Sequence, residues 1–280
     1  MSIPGDGVLH VDEYIPDSTA LGTIIAIHGL AESAATLAMP ARRWASHGYR
    51  VLAVDLRGHG ESPRWTTELL QEHPGDVIVQ DLQRTLGPLV FDHVVAPVVI
   101  FGHSSGGAAA AALAVAHSAA ISAVVLEDPF WRLPVTRHQD PYVARDAAAN
   151  LRRLQTMSDG ERQAEQAGRE PQWGTDELAA WSLAKALADV RLVAHGDVIP
   201  STPWPTLLEN LQAAGVPVLI ITGTFRTGIT EAHREIARSI GAEVLVVDGA
   251  PHFIRRDQPD RFHDEIEAFL TRKLERKPEV

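Results

Sequence analysis

Between Ala96 and Val115 an apolar, mostly β-branched run ending at Phe101 passes directly into Gly102-His-Ser-Ser-Gly106, and then into a stretch whose side chains are nearly all hydrogen or methyl. Few folds accept that order. A buried strand that turns at once into a helix needs glycines where the two backbones crowd, and the bend leaves the serine hydroxyl clear of the main chain. Small side chains let the following helix lie close against the sheet. Its N-terminus then presents unpaired N–H groups and the positive end of the helix dipole beside Ser104. The spacing predicts a strand over 96–101, a helix over 107–115, and Ser104 as a candidate nucleophile. The competing reading is a Gly/Ser connection with no chemistry.

A serine needs a base to become reactive. Of the 13 histidines, His252 in Ala250-Pro-His252-Phe-Ile has the most telling place, after the apolar run Val244 to Asp248 and before the amphipathic pattern Pro259 to Leu274. Loops at the carboxyl ends of strands are where open parallel sheets hold their chemistry. Acyl transfer also needs N–H donors for the developing oxyanion. The turn Ile27-His28-Gly29-Leu30, following the run Thr23 to Ile27, can supply one, so the donors are assigned to the backbone N–H groups of Leu30 and Ser105. His28 is read as a prop for that turn. Asp55-Leu-Arg-Gly-His-Gly-Glu-Ser62 reads as a second structural turn, in which Asp55, Arg57 and His59 lock the loop. With no H-x-H-x-D-H or H-E-x-x-H pattern and no cysteine, neither metal ligation nor a cofactor is expected.

His28-Gly29, the Asp55 to Ser62 turn, Gly102-His-Ser-Ser-Gly106 and Ala250-Pro-His252, in that order, resemble the α/β-hydrolase family along nearly the whole chain. The resemblance implies an eight-stranded, mostly parallel sheet with helices on both faces, a helical cap inserted after strand 6, and a Ser, acid, His set at the strands' carboxyl ends. In most relatives the acid follows strand seven in a G-x-x-D stretch. Here that place reads Gly223-Thr-Phe-Arg226. Haloalkane dehalogenases, cofactor-free quinolone dioxygenases and zearalenone-type lactone hydrolases carry it after the preceding strand instead, which implicates Glu127-Asp128. Successive strand side chains point to opposite faces, so one of the two can aim at His252. Asp128 is the first choice, Glu127 the second and Glu231 the third.

The texture between about 131 and 204 differs from the rest. It has few β-branched runs and reads as short helices, Pro141 to Met157, Asp159 to Gly168 and Thr175 to Ala188. The expected division is a hydrolase core over 1–130 and 205–280 with a helical cap over 131–204. Phe130, Trp131, Tyr142, Trp173, Trp181 and Trp204 concentrate aromatics there. His28, Gly29, His103, Phe130, Trp131 and Trp181 are the expected pocket residues, facing a partly apolar or ring-bearing substrate. Arg132, Arg137, Arg145, Arg152 and Arg153 read as a solvated helix face.

A net charge of −11 argues against nucleic acid or an anionic membrane as partner. The start Met1-Ser-Ile-Pro-Gly-Asp has neither basic residues nor an apolar core, and no run approaches membrane-spanning length, so the cytoplasm is the expected compartment. A homodimer remains an open assembly. The function expected is serine hydrolysis of a small-molecule carboxylic ester or lactone through an acyl-enzyme. The alternatives are a cofactor-free dioxygenase or C–C bond hydrolase acting on an aromatic substrate, and a non-catalytic receptor on the same scaffold. Dehalogenase and epoxide hydrolase activities are disfavoured, because each belongs to a family with aspartate where this chain has Ser104.

Overall fold

The computed structural model describes residues 9–93, 96–132 and 141–274. Its strands are β1 (Val11–Tyr14), β2 (Gly22–Ile27), β3 (Tyr49–Val54), β4 (Val98–His103), β5 (Ala123–Glu127), β6 (Val218–Thr222) and β7 (Glu243–Val246). The helices are α1 (Ala38–Ser46), α2 (Pro74–Leu86), α3 (Ser105–Ala116), α4 (Pro141–Gln155), α5 (Asp159–Arg169), α6 (Thr175–Leu187), α7 (Val190–His195), α8 (Trp204–Ala213), α9 (Glu231–Ile240), α10 (Ile254–Asp257) and α11 (Pro259–Leu274). The fold is that of the α/β-hydrolases, with one seven-stranded sheet in the order β1-β3-β2-β4-β5-β6-β7. All neighbours are parallel except β1, which runs antiparallel to β3.

Both faces of the sheet are covered, which explains why the inner strands are apolar throughout rather than alternating. Alternate side chains of β2 go to different cores. Ile25 and Ile27 join Leu82 of α2, Ala109 of α3 and Leu211 of α8, while Ile24 and Ala26 join Trp44 of α1 and Phe262 and Phe269 of α11. The helix α3 is apolar along most of its surface because it is buried between the sheet, α2 and α8, with Ala112, Val115 and Ala116 on its less covered side.

The eight strands expected become seven among the described residues, so the insertion follows the fifth described strand rather than the sixth. The strand-like texture from about Val8 yields one antiparallel edge strand, Val11–Tyr14, and no second one. The three helices expected between 131 and 204 correspond to α4, α5 and α6 with ends within two residues. Two further helices, α7 and α8, were not predicted. The latter starts at Trp204 with a proline in its first turn and packs on α3, so residue 204 joins a core helix rather than closing the inserted segment. No helix among the described residues is long and apolar enough to cross a membrane. Residues 1–8, Arg137 and the side chain of Tyr142 lie outside the described part.

Candidate active site

Ser104 has φ 53° and ψ −124°, a region that costs a non-glycine residue of order 1–3 kcal/mol and persists where its surroundings enforce it. The enforcement is steric. A Cβ on Gly102 would lie 2.5 Å from Gly106 O, and one on Gly106 would lie 2.1 Å from His28 O. Glycine at these positions lets β4, α3 and the β2 turn converge, and the elbow holds Ser104 where they meet.

Leu30 and Ser105 line the same cavity as Ser104, and the backbone N–H of neither donates to another described group. Ser105 is the first residue of α3, so its N–H has no intrahelical acceptor. Each donor belongs to a peptide unit whose carbonyl is held from behind. Gly29 O accepts from His28 Nδ1 at 2.8 Å and from Glu32 N at 3.2 Å, while Ser104 O accepts from Phe130 N and Gly107 N, each at 2.9 Å. His28 Nε2 accepts in turn from Leu56 N at 3.0 Å, and burial lowers its pKa to about 4, so the ring is neutral with a fixed tautomer. His59 acts similarly. Its Nε2 accepts from Ala31 N at 3.0 Å, and burial lowers its pKa to about 3. Asp55 accepts from Ala34 N at 2.7 Å and Glu61 N at 2.9 Å, and Arg57 pairs with buried Asp81 at 2.6 Å, so this turn is a scaffold for the first.

His252 Nδ1 lies 2.5 Å from Asp128 Oδ2. The carboxylate also accepts from Thr222 Oγ1 and from Gly228 N, each at 2.6 Å, and is fully buried. Glu127 points the other way. It takes Arg255 N at 2.8 Å and Arg255 Nη1 at 2.6 Å. Glu127 is the last residue of β5, and Asp128, one residue beyond the strand at φ 38°, turns to the other side and is the one beside His252. Glu231 begins α9 and pairs with Arg234 and Arg238 on the surface, away from His252.

Ser104 and His252 are brought to the same end of the sheet without being hydrogen-bonded to one another. The ring of His103, the residue before Ser104, lies 4.7 Å from that of His252, and His103 Nε2 is 3.2 Å from His252 O. Ser104 and His252 border separate cavities, with no lining residue in common. One, of about 150 Å³, is bordered by Ser104 with Leu30, Phe130, Ala144, Val193 and Val198, and the other, of about 350 Å³, by His252 with Phe225, Arg226, Phe253 and Gln258.

The expected pocket is corrected in most of its members. Phe130 lines the cavity of Ser104. His28 and His103 are buried beneath the turns, and Gly29 is a close-approach position, where a Cβ would meet His103 Nδ1 at 2.9 Å and Ser104 Cβ at 3.1 Å. Trp131 stacks on Trp204 at 4.4 Å, and Trp181 packs with Leu154, Trp173 and Leu178. Both tryptophans pin helices rather than wall this cavity.

A buried ionic cluster under the site was not foreseen. Glu32 takes His103 Nδ1 at 2.7 Å, Arg255 at 2.8 Å and Arg256 at 2.9 Å, and Arg256 also pairs with Glu177 at 2.7 Å. Burial opposes ionisation of Glu32, but Arg255 and its other cationic neighbours hold its carboxyl well below the usual range. Burial and Arg255 push the His103 pKa down, while Glu32 beside Nδ1 opposes the shift. Lys185 Nζ donates to Ala31 O at 2.7 Å, and burial lowers its pKa to about 8. The one sequence signal for this cluster is the adjacency of Arg255-Arg256 to His252; the acids that answer them come from three distant elements.

Residues 18–258 match the family Hydrolase_4, described as serine aminopeptidase, S33. The chain is 33% identical over 120 residues to the monoacylglycerol lipase of Mycolicibacterium smegmatis, a match covering 42% of the chain and 41% of that lipase, so it spans less than half of that relative. Over 265 residues, 90% of the chain and 81% of the relative, it is 25% identical to sn-1-specific diacylglycerol lipase ABHD11 of Mus musculus. Among solved structures it superposes on the N-formylmaleamic acid deformylase of Pseudomonas putida with a TM-score of 0.72 and 18% identity, over 92% of this chain and 95% of that one, a likeness of fold alone. With the family match running from residue 18 to 258 over this sheet, the chain belongs to the serine aminopeptidase S33 (Hydrolase_4) family of the α/β-hydrolase superfamily.

Proposed function

We propose that the protein is a serine hydrolase that cleaves a carboxylic ester through an acyl-enzyme. The observation carrying this reading is a strained serine sharing one cavity with two unengaged backbone N–H donors. Folding strain and vacant donors are costly in a scaffold that only binds, and both serve a tetrahedral intermediate. The lipases among the relatives support ester cleavage.

In this mechanism a turn of Ser104 about its side-chain bond brings Oγ to His252 Nε2, the nitrogen left free by the contact of Nδ1 with Asp128. Oγ attacks the ester carbonyl and its proton passes to Nε2. The carbonyl oxygen becomes an oxyanion between Leu30 N–H and Ser105 N–H. The imidazolium, stabilised by Asp128, then protonates the leaving oxygen as the C–O bond breaks. Water repeats the sequence on the acyl-enzyme, releasing the acid and restoring Ser104.

The test is covalent labelling. A fluorophosphonate probe is expected to mark Ser104, and Ser104→Ala to abolish both labelling and turnover of p-nitrophenyl butyrate. Retained turnover in Ser104→Ala protein would end this reading.

A further inference from the structure

Ser104, Leu30 and Ser105 line one cavity and His252 lies outside that lining, which orients the substrate of the proposed reaction. Because the imidazolium protonates the leaving oxygen, the leaving group lies on the His252 side. Because the oxyanion is held by Leu30 and Ser105, the acyl group lies in the cavity bordered by those residues. That cavity is apolar and about 150 Å³, against about 350 Å³ for the one beside His252, whose wall carries Arg226, Gln172 and Gln258. An apolar cavity of about 150 Å³ accommodates a guest the size of benzene.

Resting on the hydrolase reading, we infer that the acyl side of the substrate is small and apolar, with cover for about six carbon atoms or one aromatic ring. Its inner wall is made by Ala144, Val193 and Val198, all buried. Its mouth lies at Val143, which is 54% exposed, and at Ala147, also exposed. An acyl chain longer than the cavity emerges between these two into water, where further methylenes gain no cover. Ala144 sets the depth, since any larger residue there, on the face of α4 turned to Ser104, fills the space the chain needs.

The experiment is a p-nitrophenyl series from acetate to decanoate with the leaving group held constant. Each methylene that finds cover raises kcat/KM about fourfold, so the expected profile rises to about the hexanoate and is then flat or falling. Ala144→Leu is expected to bring the break down towards the butyrate, and Val198→Ala to move it up by about one methylene. The second variant enlarges the cavity and keeps the test open if the first does not fold. A rise that continues through the decanoate in the wild type, or a break that neither variant moves, overturns the inference and leaves the hydrolase reading standing. No turnover of any ester, together with no fluorophosphonate labelling, overturns both.

Discussion

Exchanging Asp128 and Glu127 for their amides separates two buried, adjacent carboxylates by what each is attached to. Asp128→Asn keeps the shape of its site. The amide oxygen can face Gly228 N–H and His252 Nδ1–H, and the amide NH₂ can face Thr222, whose hydroxyl turns to accept. What disappears is the charge that stabilises the imidazolium. For opposite charges centred about 4 Å apart at an effective dielectric near 20, that is about 4 kcal/mol, or about a thousandfold in kcat. Glu127→Gln instead leaves Arg255, which is 3% exposed, with Glu32 as its remaining carboxylate partner and turns an amide NH₂ against a guanidinium. Breaking a buried pair from one side costs about 3–5 kcal/mol of stability, a fall in Tm of about 10 °C for a chain of this size. The assay is kcat on p-nitrophenyl butyrate per folded molecule, beside a thermal melt of each variant. The expected result is a catalytic defect with near-native melting for Asp128→Asn and the reverse for Glu127→Gln. If Glu127→Gln loses the larger share of kcat per folded molecule, the assignment of the acid is wrong.

His28→Ala removes the shorter of the two bonds that hold Gly29 O and loosens the aim of Leu30 N–H, so kcat is expected to fall about a hundredfold with stability-corrected protein; a change within about threefold would mean that His28 supports the turn without serving the oxyanion. Buried His28, His59 and His263 have folded pKa values of about 4, about 3 and about 4, below the unfolded value of about 6.5, so the unfolded chain binds more protons between those limits and stability falls on acidification from pH 6.5 towards 4. Each contributes up to about 1.4 kcal/mol per pH unit in that window, and urea melts with the same midpoint at pH 7 and pH 5 would contradict this.

Features fixed by local chemistry were legible in the sequence. The elbow could be read because strand, glycines and small-residue helix are contiguous from Val98 to Ala116, and α11 because its amphipathic pattern lies within Pro259–Leu274. Choosing Asp128 over Glu127 rested on strand alternation and the resemblance, and the partners that distinguish them, His252 and Arg255, are contributed from more than 120 residues away. The aromatic pocket was misjudged for a related reason. A tryptophan in a sequence declares that it will be buried, but whether it faces a helix or a cavity depends on the neighbour it meets, and Trp131 meets Trp204. The ionic cluster of Glu32, Glu127, Glu177, Arg255 and Arg256 was not read because its members lie far apart in the chain, and Glu32, Glu177 and the two arginines each read alone as surface.

The loop after β6 explains how an acid can stand after β5 without disturbing the site. In the register of the sheet Glu127 lies opposite Ile221, so the ends of β5 and β6 are neighbours, and a carboxylate can reach the histidine from either. Here the β6 loop carries Arg226 in place of an acid, at φ 51° and on the wall of the cavity beside His252. Asp128 takes two donors from this region, Thr222 Oγ1 at the end of β6 and Gly228 N in the loop beyond Arg226. A Cβ on Gly228 would come within 3.0 Å of Asp128 O, so glycine there lets the loop close on the acid. A second carboxylate at 226 would set like charges near one another at the end of the sheet and raise the cost of ionising either. The loop that carries Arg226 where the resemblance places an acid thus helps to hold Asp128 in place, through Gly228 N.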